Sequence, residues 1–145
     1  MVRTVIGVVA GVVSLGVVVT LLQQVSSVMH PLPAGLDPMD PADAAAFAEH
    51  VAAMPAGAWV VAMLSEVVGA GIGGLVAGTI ARDALRGASG FVVGLATVGS
   101  VMNWTAFPHP TWFIISQIVL YPVALMSVWA WLSSRSQDGV TRAEA

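Results

Sequence analysis

The chain's 145 residues are enough for one domain, yet 57% of them are apolar and only 9% charged, against roughly 45–50% and about 25% in soluble domains. That balance excludes an ordinary soluble fold. Five arginines, no lysine and eight carboxylates leave a net charge of −3, too small and dispersed for the basic face of a nucleic-acid binder. With no cysteine there is no disulfide, thiolate nucleophile or cysteine metal site.

A spanning helix needs about 20 mainly apolar residues, which at about 1.5 Å per residue cross a hydrocarbon core of roughly 30 Å. The first such segment runs from about Thr4 to Met29 without a charge. Its valines would suit a strand in water, but a lone strand in lipid leaves backbone groups unpaired, so a helix is expected. A cleaved signal peptide is the competing reading of this segment. Against it, the apolar run is about twice the usual signal core, and no clear small-x-small cleavage site precedes Met29-His30-Pro31.

The segment 30–55 follows, with a helix expected over about 41–53. Asp40 offers a cap acceptor, Pro41 suits the first turn, and Phe47, Val51 and Met54 fall on one stripe. It reads either as an interfacial helix lying over the other spans or as a lid over a cavity. Three more spans follow at about 56–81, 87–107 and 111–134. The second holds one ionisable residue, Glu66, and the fourth holds Pro122, which removes a backbone donor and should kink it. The expected fold is an all-α membrane protein, a bundle of four transmembrane helices forming one domain over 1–145.

Orientation follows from arginine, because short arginine-bearing loops stay in the cytoplasm. Arg3, Arg82, Arg86, Arg135 and Arg142 all fall on one side of these spans, while Asp37, Asp40, Asp43 and Glu49 lie on the other. Both termini are therefore expected in the cytoplasm. Trp59, Trp104 and Trp112 at the outer ends, with Trp129 and Trp131 at the inner end, fit aromatic belts.

Small residues recur along two rows of the second span: Ser65, Gly69 and Gly73, and Ala70, Gly74 and Gly78. Such rows let helix backbones approach closely, which in lipid is a main source of association. A G-x3-G-x4-G pattern also recurs at an offset of 83, as Gly7, Gly11 and Gly16 in the first span and Gly90, Gly94 and Gly99 in the third. It suggests two related helical hairpins, although glycine coincidences are common in helices of this composition. Gly69, Gly71 and Gly74 match G-x-G-x-x-G, but with no strand-turn-helix unit around them the nucleotide reading fails.

Glu66 lies roughly 12 Å below the outer end of its helix, where a charged carboxylate costs about 3 kcal/mol. No basic residue stands at that depth. Counting inward from the outer ends puts Gln23, Asn103 and Gln117 in the same layer, roughly 9–11 Å deep, with Tyr121 a turn deeper. These groups serve either as interhelical hydrogen-bond glue or as a proton or ion site opening outward. His30, His50 and His109 share the outer face with four carboxylates, but no spacing typical of a metal site joins them. No catalytic motif is present and no cofactor is expected.

The small-residue second helix ending at Arg82, together with Pro108-His109-Pro110-Thr111-Trp112-Phe113, resembles a group of small bacterial four-helix inner-membrane proteins that are mainly uncharacterised. The resemblance implies a fold and a bacterial inner membrane rather than an activity. It also implies a polar layer, since such proteins often carry histidine in place of Glu66 and an acidic residue near Gln117. Small multidrug exporters differ in keeping their glutamate in the first span. Fluoride channels differ in the register of their glycine-arginine run, which Gly73 to Arg82 only approximates. The leading expectation is a non-enzymatic integral membrane protein, an oligomeric or accessory subunit packing through glycine faces against itself or a larger membrane complex. A small proton-coupled transporter or channel using Glu66 is the alternative, and a membrane-embedded enzyme acting on lipid or quinone the third.

Overall fold

The computed structural model describes the backbone of residues 1–143 and the side chains of residues 1–135. Arg142, one of the five arginines used for orientation, lies outside the described side chains. Every regular element among the described residues is helical: α1 (Val2–Met29), α2 (Ala44–Ala52), α3 (Ala56–Ile80), α4 (Leu85–Ala106) and α5 (Thr111–Ala143). One-turn 3-10 helices at Pro41–Asp43 and Arg82–Ala84 lead into α2 and α4. Four helices, α1, α3, α4 and α5, are long and apolar enough to cross a membrane, with α1 the most hydropathic. Their ends fall within a few residues of the expected spans, except that α5 continues to Ala143 and runs unbroken through Pro122.

The helix start at Asp40 follows the chemistry of its residues. The Asp40 carboxylate accepts from the Ala42 backbone N–H at 2.9 Å, with Pro41 in the first turn. Asp43 and Asp37 are used in the same way: Asp43 Oδ2 accepts from the Asp37 N–H, and Asp37 Oδ1 from the Met39 N–H. These carboxylates fold the segment that carries α2.

Helix α3 packs against α1, α4 and α5, α4 also meets both α1 and α5, and among the described residues α1 and α5 do not meet. In cross-section this is a diamond with α3 and α4 on its short diagonal. The small residues of α3 make the central position possible. A Cβ built on Gly11 would lie 2.6 Å from the Gly73 carbonyl oxygen, and one built on Gly73 2.7 Å from that of Gly11. The two backbones touch there, and only glycine fits. Gly7 packs on Ala77 and Ala81, and Gly69 on Leu15 and Val19, which completes the α1–α3 seam. Gly74 and Gly78 face the other way, toward Val93 and Ser89 of α4 and Leu132 of α5. Both small-residue rows of α3 are thus occupied inside the chain.

The glycine pattern shared by α1 and α4 does not mark shared contacts. Gly90 meets only the Trp129 ring, at 3.7 Å, while Gly94 and Gly99, like Gly16, meet nothing within 4 Å. Gly90 and Gly94 instead border an apolar cleft of about 330 Å³ between α4 and α5. Helix α4 reaches α3 through Ser89 and Val93, so Gly90 and Gly94 do not act as the packing glycines that the spacing suggests.

One end of the structure collects arginine and tryptophan. The Arg86 guanidinium sits over Trp129 at 6.0 Å and that of Arg135 over Trp131 at 4.5 Å, while Trp129 Nε1 donates to Ser89 Oγ at 2.9 Å. The opposite end carries His30, His50, His109 and α2. Between these ends the outer surface is aliphatic, as with Val5, Val9, Val13 and Val17 of α1.

Candidate functional site

Glu66 projects from the middle of α3, where its Oε2 collects donors from both α4 and α5. Ser100 Oγ and Gln117 Nε2 each donate at 2.7 Å, and Tyr121 OH at 3.3 Å. Ser100 Oγ and Tyr121 OH also lie 2.6 Å apart. With its own hydrogen spent on the carboxylate, Ser100 accepts there and Tyr121 donates. Gln117 is fixed at its other end, where Oε1 accepts from Trp104 Nε1 at 2.7 Å. This orients the amide so that its NH₂ faces the carboxylate. Gln117, Tyr121 and Ser100 are all buried, and a buried polar network holds together only when its members are satisfied.

The second carboxylate oxygen behaves differently. Oε1 takes no hydrogen bond among the described residues, and the partly exposed Glu66 lines a cavity of about 420 Å³ at the histidine end. Gln23 of α1 and Asn103 of α4 line the same cavity, as do His30, His50 and His109. Its wall reaches the surface at Ser27, Leu32 and Pro38, all exposed.

The expected polar layer therefore divides in two. Gln117 and Tyr121 bind Glu66 directly, whereas Gln23 and Asn103 face the cavity beside it. Aromatic rings form much of the remaining wall. Trp59 and Phe113 meet edge to face at 5.0 Å, and His109 lies 4.9 Å from Trp59 and 5.1 Å from Phe113. Phe47 of α2 packs edge-on against Phe107 at 5.1 Å, while Val51 and Met54 pack on the Trp59–Met63–Phe113 cluster. The stripe Phe47, Val51, Met54 thus turns inward and covers part of the cavity.

The histidines have defined roles in this arrangement. His30 Nε2–H donates to the His50 carbonyl at 2.9 Å, and the two rings stack 4.0 Å apart. This ties the end of α1 to α2. Burial, and next the neighbouring His30, hold the His50 imidazole below its ordinary pKa. His109 Nδ1–H donates to the Phe107 carbonyl at 2.8 Å, which leaves Nε2 of the neutral ring as acceptor for Asn103 Nδ2 at 3.4 Å. Among the described residues no three His, Asp or Glu side chains gather as a metal-ligand set.

Ser100, Trp104 and the His30–His50 stack are the parts that sequence reasoning missed. Ser100 lies one turn before Asn103, so helical spacing offered a signal. Trp104 is assigned from sequence to the interfacial belt, and nothing in its position announces the bond to Gln117. No protein-family model, characterised protein or solved structure matches the chain.

Proposed function

We propose that the chain is a multi-pass protein of the bacterial inner membrane, a four-helix bundle with both termini in the cytoplasm and α2 at the outer interface. In this reading it is a small proton-coupled transporter or channel, and Glu66 is its proton site. The observation that carries the proposal is the divided carboxylate: Ser100, Gln117 and Tyr121, the last sharing its one hydrogen with Ser100, hold Oε2, while Oε1 takes no hydrogen bond among the described residues and Glu66 lines a cavity that reaches the surface.

Fixing one oxygen keeps the other aimed at the cavity whatever its protonation state, as a site that repeatedly takes up and releases a proton requires. Protonation removes a charge that costs about 3 kcal/mol at such depth, so the loaded state moves through an apolar surround more easily than the empty one. The hydroxyls of Ser100 and Tyr121 continue the hydrogen-bonded chain from Oε2 away from the cavity; their hydrogens point toward the carboxylate, so a proton leaves Glu66 along this chain only after both hydroxyls turn. The accessory-subunit reading keeps less support from the glycine rows of α3, which are occupied within the chain, than from Gly94 and Gly99 of α4 and Gly16 of α1, which meet nothing within 4 Å.

The test is proton flux into proteoliposomes carrying an internal pH dye. The parent protein should pass protons and Glu66→Gln should not. Equal flux in the two proteins, or none in the parent, would end the proposal.

A further inference from the structure

We infer that the ligand of this cavity is a primary organic ammonium with a compact apolar body, an inference that rests on the reading of Glu66 as the proton site and names the cargo exchanged against the proton. Charge is the first argument. The described arginines, Arg3, Arg82, Arg86 and Arg135, stand away from the cavity, and no arginine lines it. An anion entering it would meet the Glu66 carboxylate with no arginine beside it, only the imidazoles of His30, His50 and His109. A cation is instead drawn to the mouth by a segment carrying Asp37, Asp40, Asp43 and Glu49 and no basic residue.

Hydrogen-bond supply narrows the cation. Three helices present acceptor oxygens that no described donor engages: Glu66 Oε1 of α3, Gln23 Oε1 of α1 and Asn103 Oδ1 of α4. A primary ammonium carries three N–H donors and no acceptor, enough to serve these three oxygens. A quaternary ammonium would bury these oxygens without giving them a donor, and an unsatisfied buried acceptor is costly. The walls specify the remainder. Trp59, Phe107 and Phe113 offer apolar ring surface, and ring faces also attract a cation. At about 420 Å³ the space falls in the range of small-molecule sites and far exceeds what a bare metal ion fills.

Because the ammonium and the proton both seek Glu66, the two compete. Acidification should weaken amine binding, both through Glu66 and through the imidazoles of His30, His50 and His109 in the same wall, which repel a cation once protonated, and amine arrival should release a proton. That is the thermodynamic core of an exchanger.

The experiment is calorimetric titration of the purified full chain in detergent with 2-phenylethylamine hydrochloride. The comparison ligands are 2-phenylethanol, which has the same body without the charge, and sodium chloride. Saturable binding of the amine is expected, with none of the alcohol, and with weaker binding as pH is lowered. Glu66→Gln should weaken it about tenfold or more, as loss of a charge-assisted bond implies. Gln23→Leu, which leaves the Glu66 donor set intact, should weaken it severalfold, with circular dichroism confirming that both variants stay folded. Equal binding of alcohol and amine, binding indifferent to both substitutions, or saturation by sodium with no displacement by amine would overturn the inference. Glu66-dependent proton flux without amine binding would also overturn it while leaving the proton site in place. Glu66-dependent amine binding without any flux would uphold the ligand and overturn the transport reading.

Discussion

At the scale of single residues, the donors around Glu66 differ in what their removal leaves behind. Tyr121→Phe takes away a hydroxyl that shares its hydrogen between Ser100 and the carboxylate. Ser100 and Gln117 still donate to Oε2, so the expected loss is that of an average interhelical hydrogen bond in a membrane, about 0.6 kcal/mol. Gln117→Leu is more severe, because it removes a donor from Glu66 and also orphans the Trp104 indole N–H. An unsatisfied buried group costs about 1–3 kcal/mol, and the half-buried Trp104 bears part of that cost. Unfolding of both variants in mixed micelles should rank Gln117→Leu well below Tyr121→Phe, and an equal loss would show that Gln117 does not bridge the two partners. Depth counting along the helices was enough to bring Gln117 and Tyr121 to the level of Glu66. Ser100 escaped it for a physical reason. Serines in such helices commonly satisfy themselves on a carbonyl one turn back, as Ser89 and Ser127 do here, so a serine in the sequence carries no sign that it will reach across to another helix.

At the scale of elements, the seam between α1 and α3 is set by backbone contact. Gly11→Ala would press a methyl group against the Gly73 carbonyl and the Ala77 side chain, and overpacking of this kind costs about 1–3 kcal/mol. Gly16→Ala, five residues along the same helix with nothing within 4 Å, should be neutral or gain up to about 1 kcal/mol from helix propensity. Thermal unfolding of the two variants in detergent checks the contrast. The sequence shows both glycines and the identical spacing in α4, but not which of them lie in a seam. Helix α1 is apolar on every side, so hydrophobicity does not mark the face that packs. Helix α2 is governed by a different force. Since the His50 pKa lies below its ordinary 6.5, the docked state favours the neutral ring. Its stabilisation is complete above that pH and is lost as pH falls through the lowered value. A nitroxide on Ala46→Cys, an exposed α2 position, should therefore become more mobile on acidification, and adding His50→Phe should remove that response. Mobility that stays constant with pH in the parent background would show that His50 does not govern the docking.

At the scale of the whole molecule, the direction in which the cavity opens depends on which end of the helices lies outside. Arg3, Arg82, Arg86 and Arg135 are distributed over α1, the α3–α4 turn, the first turn of α4 and α5, so the bias does not hang on one loop. In the proposed orientation these arginines stay on the cytoplasmic side, where short arginine-bearing loops are retained, while the segment holding α2 has no arginine to oppose its export. The diamond packing reinforces the asymmetry. Because α3 is wedged among the other three helices by its glycines, the Glu66 carboxylate has an open cavity on its histidine side and close-packed backbone on its arginine side. A molecule inserted opposite to the proposed orientation would present that cavity to the cytoplasm and invert any proton-driven exchange. The absence of cysteine makes the question directly testable. Met39→Cys, at a position 87% exposed in the α2 segment, should react with a membrane-impermeant maleimide on intact cells. Asp83→Cys, in the exposed α3–α4 turn, should react only after the membrane is opened. Labelling of both sites on intact cells would mean that the chain inserts in two directions, and the cavity would then have no single side from which to draw its ligand.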